Sequence, residues 1–160
     1  MDTQTQKIMF SSKSNEWETP MGFYQKLNKQ FKFTLDPCCT PETAKCENYY
    51  TMEDDGLSKS WKDQVVFVNP PYGNIKEWVK KAHDESINNG AVVVMLIPAR
   101  TDTRYWHDYI MEEADSIYFV KGRLKFGQSQ NAAPFPSAVV VFDSRRFKWV
   151  GGPRVGTMER

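Results

Sequence analysis

No segment of this 160-residue chain stays apolar for the roughly twenty residues that a membrane-spanning helix requires. Met1 to Phe10 is polar and lacks the apolar stretch of a secretory leader. Together these absences give the expectation of a cytoplasmic protein. Cysteine is scarce: there are three, Cys38, Cys39 and Cys46. An odd count with two adjacent members argues against a disulfide framework. No Cys-x-x-Cys pair and no nearby histidine supplies ligand spacing, so no metal is expected, and the three read as small buried residues in a tight turn. Histidine is scarcer still, and His83 and His107 fall on predicted helices as structural or exposed residues. The formal net charge is only +1, which excludes the strong single-sign field of a wholly basic nucleic-acid binder. That balance hides an asymmetry. Acids outnumber bases from Asp36 to Asp63, whereas bases dominate from Asp115 onward, through Lys121, Arg123, Lys125, Arg145, Arg146, Lys148, Arg154 and Arg160. A basic second half suits a phosphate-bearing partner, and equally a solvated surface.

What the chain does contain is one domain's worth of alternating elements. Residues 1–15 read as a loose tail, 16–150 as a single catalytic domain, and 151–160 as a second tail. Thr19-Pro20 has the chemistry of an N-cap and first helical residue, and Phe23, Tyr24, Leu27 and Phe31 follow at helical spacing. Phe33–Asp36 and Asn48–Thr51 read as short strands. Val65–Val68 and Ala91–Ile97 are β-branched apolar runs of the kind buried in parallel sheets, the second stopped by Pro98. Ile75, Trp78, Val79, Ala82 and Ser86 place a helix over about residues 74–88. A short helix around Trp106–Ala114, strands at Ser116–Val120 and Ser137–Phe142, and an intervening hairpin or long loop complete the chain. This alternation predicts an α/β fold, a doubly wound, mostly parallel central sheet with helices on both faces. Such sheets bind ligands at the carboxyl ends of their strands. Asp36-Pro37-Cys38 and Asn69-Pro70-Pro71 both stand there.

Asn69-Pro70-Pro71-Tyr72, directly after a buried strand, carries the sharpest chemical signal. An exocyclic aromatic amine is a poor nucleophile because its lone pair is delocalised into the ring. Two acceptors that bind both of its N–H groups favour charge build-up on nitrogen, and they do so in the transition state, where binding accelerates chemistry. The Asn69 side-chain oxygen and the Pro70 carbonyl are candidates. Pro71 brings no competing N–H, and the two prolines fix the loop. Tyr72 offers a ring on which a flipped base can stack. The plain alternative is a Pro-Pro turn whose Asn caps the next helix.

Several motifs in one order make the chain similar to a known family, the small phage-type DNA N6-adenine methyltransferases. They are Glu16-Trp17-Glu18-Thr19-Pro20, Leu35-Asp36-Pro37-Cys38, Asp55-Gly56-Leu57, Trp61, Asn69-Pro70-Pro71-Tyr72, Ile97-Pro98-Ala99-Arg100-Thr101-Asp102-Thr103 and Gly122-Arg123-Leu124-Lys125-Phe126. The resemblance implies a Rossmann-like methyltransferase fold, S-adenosylmethionine as donor, and adenine in DNA as acceptor, flipped from a duplex or taken from a single strand. It implies that Asp36, Pro37 and Cys38 turn under the donor's methionine moiety. It also implies that Thr19 and Pro20 start a helix near the donor's carboxylate, as a helix N-terminus attracts an anion. Asp54 or Asp55 would hold the donor's adenosine, with Glu53 the nearest acid for the ribose. Trp17 would pack on the donor's adenine. The chain departs from the Gly-x-Gly of larger methyltransferases, reading Cys38-Cys39-Thr40-Pro41 there. Arg100, Arg123 and Lys125 are candidate DNA contacts. A phage origin would place the protein in the host cytoplasm, protecting phage DNA from restriction.

Two other readings stay open. Asn-Pro-Pro-Tyr also serves methyltransferases of glutamine side chains, since a carboxamide nitrogen poses the same problem, whereas cytosine-N4 enzymes more often open with Ser. A non-catalytic nucleic-acid-binding Rossmann module is the second, supported only by the missing Gly-x-Gly. No insertion is large enough for a target-recognition domain, so sequence specificity falls to loops 36–47 and 121–136, or to a dimer.

Overall fold

The apolar runs alternate strictly between two faces, and this alternation builds the molecule. A computed structural model describes residues 17–145 and 151–160. The expected tail at 1–15 lies outside the described residues, as do Glu16 of the first motif and the basic residues Arg146 and Lys148. Strand β1 (Val65–Val68) pairs in parallel with β2 (Val92–Pro98). Strands β3 (Ser116–Lys121) and β4 (Ser137–Asp143) follow, and β4 runs antiparallel to both β2 and β3. The last strand, β5 (Arg154–Glu159), pairs in parallel with β3. The order is β1-β2-β4-β3-β5. Isolated parallel bridges, Leu35 to Val66 and Asp36 to Tyr49, extend the β1 edge. The sheet is therefore mixed: four of its five named strands run in one direction, as expected, and β4 is inserted in reverse.

Side chains that point one way from the sheet, Val66 and Val68, Val93, Met95 and Ile97, Ala138, Val140 and Phe142, form one core with helix α2 (Ile75–Asn89) through Trp78, Val79 and Ala82. Those that point the other way, Phe67, Val94, Leu96, Val139 and Val141, form a second core with helix α1 (Met21–Phe31) through Phe23, Tyr24 and Leu27. Period-2 strands between 3.6-period helices thus cover both faces. Helix α2 stops at Gly90, whose left-handed backbone turns its N–H onto the carbonyl of Glu85.

Four local expectations change. The Phe33–Asp36 and Asn48–Thr51 segments are single bridges, not strands. Helix α1 begins at Met21 with Pro20 as its N-cap and no side-chain cap bond, so Thr19 does not cap it. The segment Trp106–Ile110 is a π-turn that runs into one α-turn, Met111–Glu113. Residues 151–160, expected as a tail, include edge strand β5, anchored by Arg154 on Asp115 at 3.2 Å.

The pairing puts the carboxyl ends of β1, β2, β3 and β5 at one end of the sheet, where β4 begins. Asp36, Asn69, Ala99-Arg100, Gly122 and Pro136 all meet at this rim.

Candidate active site

At the rim the chain leaves β1 at Asn69. The Asn69 side-chain amide donates through Nδ2 to the carbonyl oxygen of Trp17 at 2.6 Å and to the hydroxyl of Thr19 at 3.0 Å. A carbonyl oxygen only accepts, so the amide must turn its NH2 toward Trp17. Oδ1 is thereby turned the other way. It is buried and has no hydrogen-bond partner. A buried acceptor left open in this way calls for an occupant.

Tyr72 follows at the start of a short 3-10 turn, Tyr72–Asn74. Its ring sits 5.7 Å from Trp17 and 5.3 Å, edge-on, from Phe135. Trp17 in turn contacts Phe126 and Phe135 at 5.7 and 5.4 Å. These four rings form one cluster, to which Tyr72 ties the Asn-Pro-Pro-Tyr loop. Burial pushes the Tyr72 phenol up, against a smaller opposing effect of the nearby Arg100 charge, so the hydroxyl stays neutral. The Tyr72 hydroxyl is also buried without a partner. Sequence reasoning quoted Phe126 inside a motif without giving it a role and missed Phe135. The signal for Phe135 was its place between two prolines, Pro134 and Pro136, in a loop otherwise made of small and polar residues.

The segment 17–19 is held from three sides. Glu18 pairs with Lys45 at 2.8 Å, and the lysine side chain is almost wholly buried. The N–H of Gly127 donates to the Glu18 carbonyl at 2.8 Å. Asn69 takes Trp17 and Thr19.

Asp36 is 3% exposed. Its Oδ1 accepts the N–H of Cys38 at 3.3 Å and its Oδ2 the N–H of Lys45 at 3.0 Å. Burial raises its carboxyl to about 6 despite these bonds. The side chain fastens the two ends of loop 37–46, and its carboxylate faces backbone amides. Cys38 and Cys39 follow in that loop, both with thiols pushed up by burial. Cys39 donates weakly to the carbonyls of Asp36 and Tyr50, and Cys46 meets the Tyr24 hydroxyl at 3.6 Å. All three thiols are free. Among the described residues no three His, Cys, Asp or Glu side chains gather as a metal site would.

Gly56 packs against Pro37 so closely that a Cβ there would lie 2.1 Å from the Pro37 carbonyl oxygen. The Gly56 carbonyl receives the indole N–H of buried Trp61 at 3.0 Å. Hence Asp36-Pro37-Cys38, Asp55-Gly56-Leu57 and Trp61 form one assembly. Asp54 is exposed, and its carboxylate accepts the N–H and hydroxyl of Thr51, which hold its pKa below the usual carboxylate value. Asp55 is exposed in a left-handed conformation. Cys38, Tyr50, Leu57, Tyr72 and Ala99, all partly exposed, cap the α2-side core at this end.

The basic residues divide. Arg100, Lys121, Arg123, Lys125 and Arg160 are exposed at or beside the rim. Arg123 reaches the Ala133 carbonyl at 3.2 Å, and Arg160 the Arg123 carbonyl at 3.4 Å. Arg145 and Arg154 lie at the opposite end of the sheet, tied to Asp143 and Asp115. The charge asymmetry of the sequence is thus not a single face.

Fold and rim together define an α/β protein with a buried, unpartnered carboxamide oxygen beside an aromatic cluster, at the carboxyl end of strand β1. The sequence profile of the family described as DNA N-6-adenine-methyltransferase (Dam) matches residues 6–148. A DNA N-6-adenine-methyltransferase of Haemophilus phage HP1 (strain HP1c1) is 26% identical over 136 residues, covering 81% of this chain and 79% of that protein. Another, of Escherichia phage T1, is 31% identical over 104 residues, covering 64% of this chain and 43% of the phage T1 protein. The chain belongs to the DNA N-6-adenine-methyltransferase (Dam) family. No helix among the described residues is long and apolar enough to cross a membrane.

Proposed function

We propose that the protein transfers a methyl group from S-adenosylmethionine to N6 of adenine in DNA, on a Rossmann-like sheet, with Asn69-Pro70-Pro71-Tyr72 at the reacting end. The observation that carries this reading is Oδ1 of Asn69, buried, unpartnered and on the opposite side of the amide from the Trp17 and Thr19 bonds. It does not stand alone. Every buried side-chain polar atom without a partner among the described residues comes from 69–78, Trp106 or Ser137. Those segments follow β1 and β2 at their carboxyl ends or begin β4 there. A rim rich in unpaired buried polar groups fits a site that a polar ligand completes.

When bound, S-adenosylmethionine supplies an electrophilic methyl group on a sulfonium. The groups of this chain that would hold it are Trp17, Pro20, Asp36, Pro37, Cys38, Asp54 and Asp55, whereas the Thr19 hydroxyl is engaged by Asn69. Asp36 acts by shaping loop 37–46, with both carboxylate oxygens on backbone amides. The first turn of α1 carries no acidic side chain, so its free N–H groups present an unopposed positive pole.

Asn69 Oδ1 and the Pro70 carbonyl accept the two N–H groups of the target amine. They counter the positive charge that nitrogen gains as its lone pair forms the new bond, so their effect is largest in the transition state. The proton leaves nitrogen afterwards, and no buried general base is required. Tyr72, wedged among Trp17 and Phe135, offers its ring to a base flipped from the stack. Arg100, Arg123 and Lys125 take phosphates from the exposed rim, where counterion release supplies affinity. The protein works as a DNA enzyme wherever host and phage DNA coexist, which suits the host cytoplasm.

The test is transfer of labelled methyl to unmethylated DNA. Label should appear as N6-methyladenine, and Asn69→Ala should lower kcat by roughly a hundred-fold or more while donor binding persists. An Asn69→Ala enzyme with unchanged kcat removes the assignment. Label on a protein side chain in place of DNA would redirect it to glutamine.

A further inference from the structure

A carboxamide is nearly the same shape in its two flipped orientations, yet only one is useful here. With Oδ1 outward, Asn69 presents an acceptor to an N–H group. With Nδ2 outward, two donors face each other and the site is inert. We infer that Thr19 is a positioning residue for Asn69, which together with the Trp17 carbonyl fixes the amide in the productive orientation, and that it acts there rather than on the methyl donor. This inference rests on the reading of Asn69 Oδ1 as the acceptor of the target amine.

Both protons of Nδ2 are used, one on the Trp17 carbonyl at 2.6 Å and one on the Thr19 hydroxyl at 3.0 Å. In the flipped orientation Oδ1 would stand at 2.6 Å from a carbonyl oxygen, two acceptors in contact. The carbonyl therefore selects the orientation. The threonine hydroxyl then engages the second proton and holds the amide plane. Thr19 is 3% exposed, and its hydroxyl is not spent on helix α1, which is capped at Pro20 without any side-chain bond. Its partner is 50 residues away in sequence. Pro20 reinforces the arrangement because it has no N–H to compete for the hydroxyl. The clamp is held in turn by Glu18, through Lys45 on one side and Gly127 on the other. The Thr-Pro pair thus serves the acceptor side of the reaction, a role invisible in a local reading that sees only a helix start.

The experiment compares the wild-type protein with Thr19→Val, Thr19→Ser, Asn69→Ala and the double variant Thr19→Val/Asn69→Ala. It measures kcat, KM for DNA, the Kd of S-adenosylmethionine, and the melting temperature. Thr19→Val keeps the shape and removes the acceptor. Its kcat should fall about ten-fold, the worth of one lost hydrogen bond in the transition state, with KM for DNA and donor Kd changed by less than about two-fold. Thr19→Ser should recover most of that loss. The double variant should be no slower than Asn69→Ala, because Thr19 has nothing left to orient. The inference is overturned if Thr19→Val instead weakens donor binding ten-fold, if Thr19→Ser is as slow as Thr19→Val, or if the two losses multiply in full. Should Thr19→Val fail to fold, the serine variant decides: it must fold and keep the kinetics. An Asn69→Ala enzyme that retains full kcat would sink the acceptor reading itself, and that result is distinct from any of these.

Discussion

Gly56→Ala puts a methyl group where there is no room. The new Cβ would stand 2.1 Å from the Pro37 carbonyl oxygen, 3.1 Å from the carbonyl carbon and 3.2 Å from the Pro37 Cβ, whereas unbonded carbons rest about 3.5–4.0 Å apart. The clash is with backbone, so no side chain can swing away. Movement of Pro37 is opposed on both sides. Asp36 Oδ1 holds the Cys38 amide and the Tyr50 carbonyl holds the Cys39 amide. Movement of Gly56 instead drags its carbonyl off the Trp61 indole, which is fully buried and has no water to replace the bond. Overpacking costs about 1–3 kcal/mol, and an orphaned buried donor costs about 1–3 kcal/mol. Relief by one route mostly spares the other, so a loss of about 3 kcal/mol is expected, or a fall in Tm on the order of 10 °C for a chain of this size. Thermal and urea unfolding of the wild type and variant check this. Gly22→Ala is the control: nothing lies within 4 Å of a Cβ there, and alanine suits a helix better, so Tm should rise slightly. A Gly56→Ala protein that melts within about 2 °C of wild type would refute the packing argument.

Other outcomes follow from the same geometry. The Asp36 carboxyl is raised by burial to about 6 from the ordinary 3.8, so its burial as the neutral acid stabilises the fold fully below pH 3.8 and this contribution is lost as pH rises through about 6. Wild type minus Asp36→Asn stability, measured by urea unfolding, should therefore grow as pH falls from 7 to 4, approaching about 3 kcal/mol at 1.36 kcal/mol per unit; a difference independent of pH would refute it. Tyr72→Phe removes a buried hydroxyl that has no partner and should raise stability by about 1 kcal/mol, while Tyr72→Ala should destroy methyl transfer; a lower Tm for Tyr72→Phe would mean the hydroxyl is bonded after all. Arg123→Ala should reduce the slope of log affinity for DNA against log salt by about one, with donor affinity intact.

Much of the framework was legible because burial writes directly into composition. Val65–Val68, the β2 run and, after Ser137, Ala138–Phe142 are apolar throughout, since strands covered on both faces have no polar side to show. The α2 stripe of Ile75, Trp78, Val79 and Ala82 was equally plain, and its helix ends one residue from the expected place. Strand β5 was not legible. Its residues, Arg154 to Glu159, are mostly exposed, so an edge strand with little to bury carries no hydrophobic signature. Nor did sequence show that β4 runs in reverse, because an apolar run has no direction.

The site was legible where its chemistry is carried by a residue's own identity and obscure where it depends on a partner. Asn69-Pro70-Pro71-Tyr72 announces itself by letters, strand context and spacing. Thr19 was misread as a cap because its best local use is a cap, and the competing bond to Asn69 comes from a strand end that only the fold brings near. Asp36 was expected to face the donor, and its carboxylate is engaged by the amides of Cys38 and Lys45. For Thr19 a side chain with an evident local job is engaged by a partner 50 residues away, and local propensity loses because a buried hydrogen bond outweighs an exposed cap; Asp36 instead closes its own loop, with partners two and nine residues on. Gly56 is the glycine that this loop requires, since a methyl group there would meet the Pro37 carbonyl oxygen at 2.1 Å, and it lies outside the segment Cys38–Pro41 where a Gly-x-Gly would stand; its role is to let two stretches of the protein's own backbone meet, which no local motif announces.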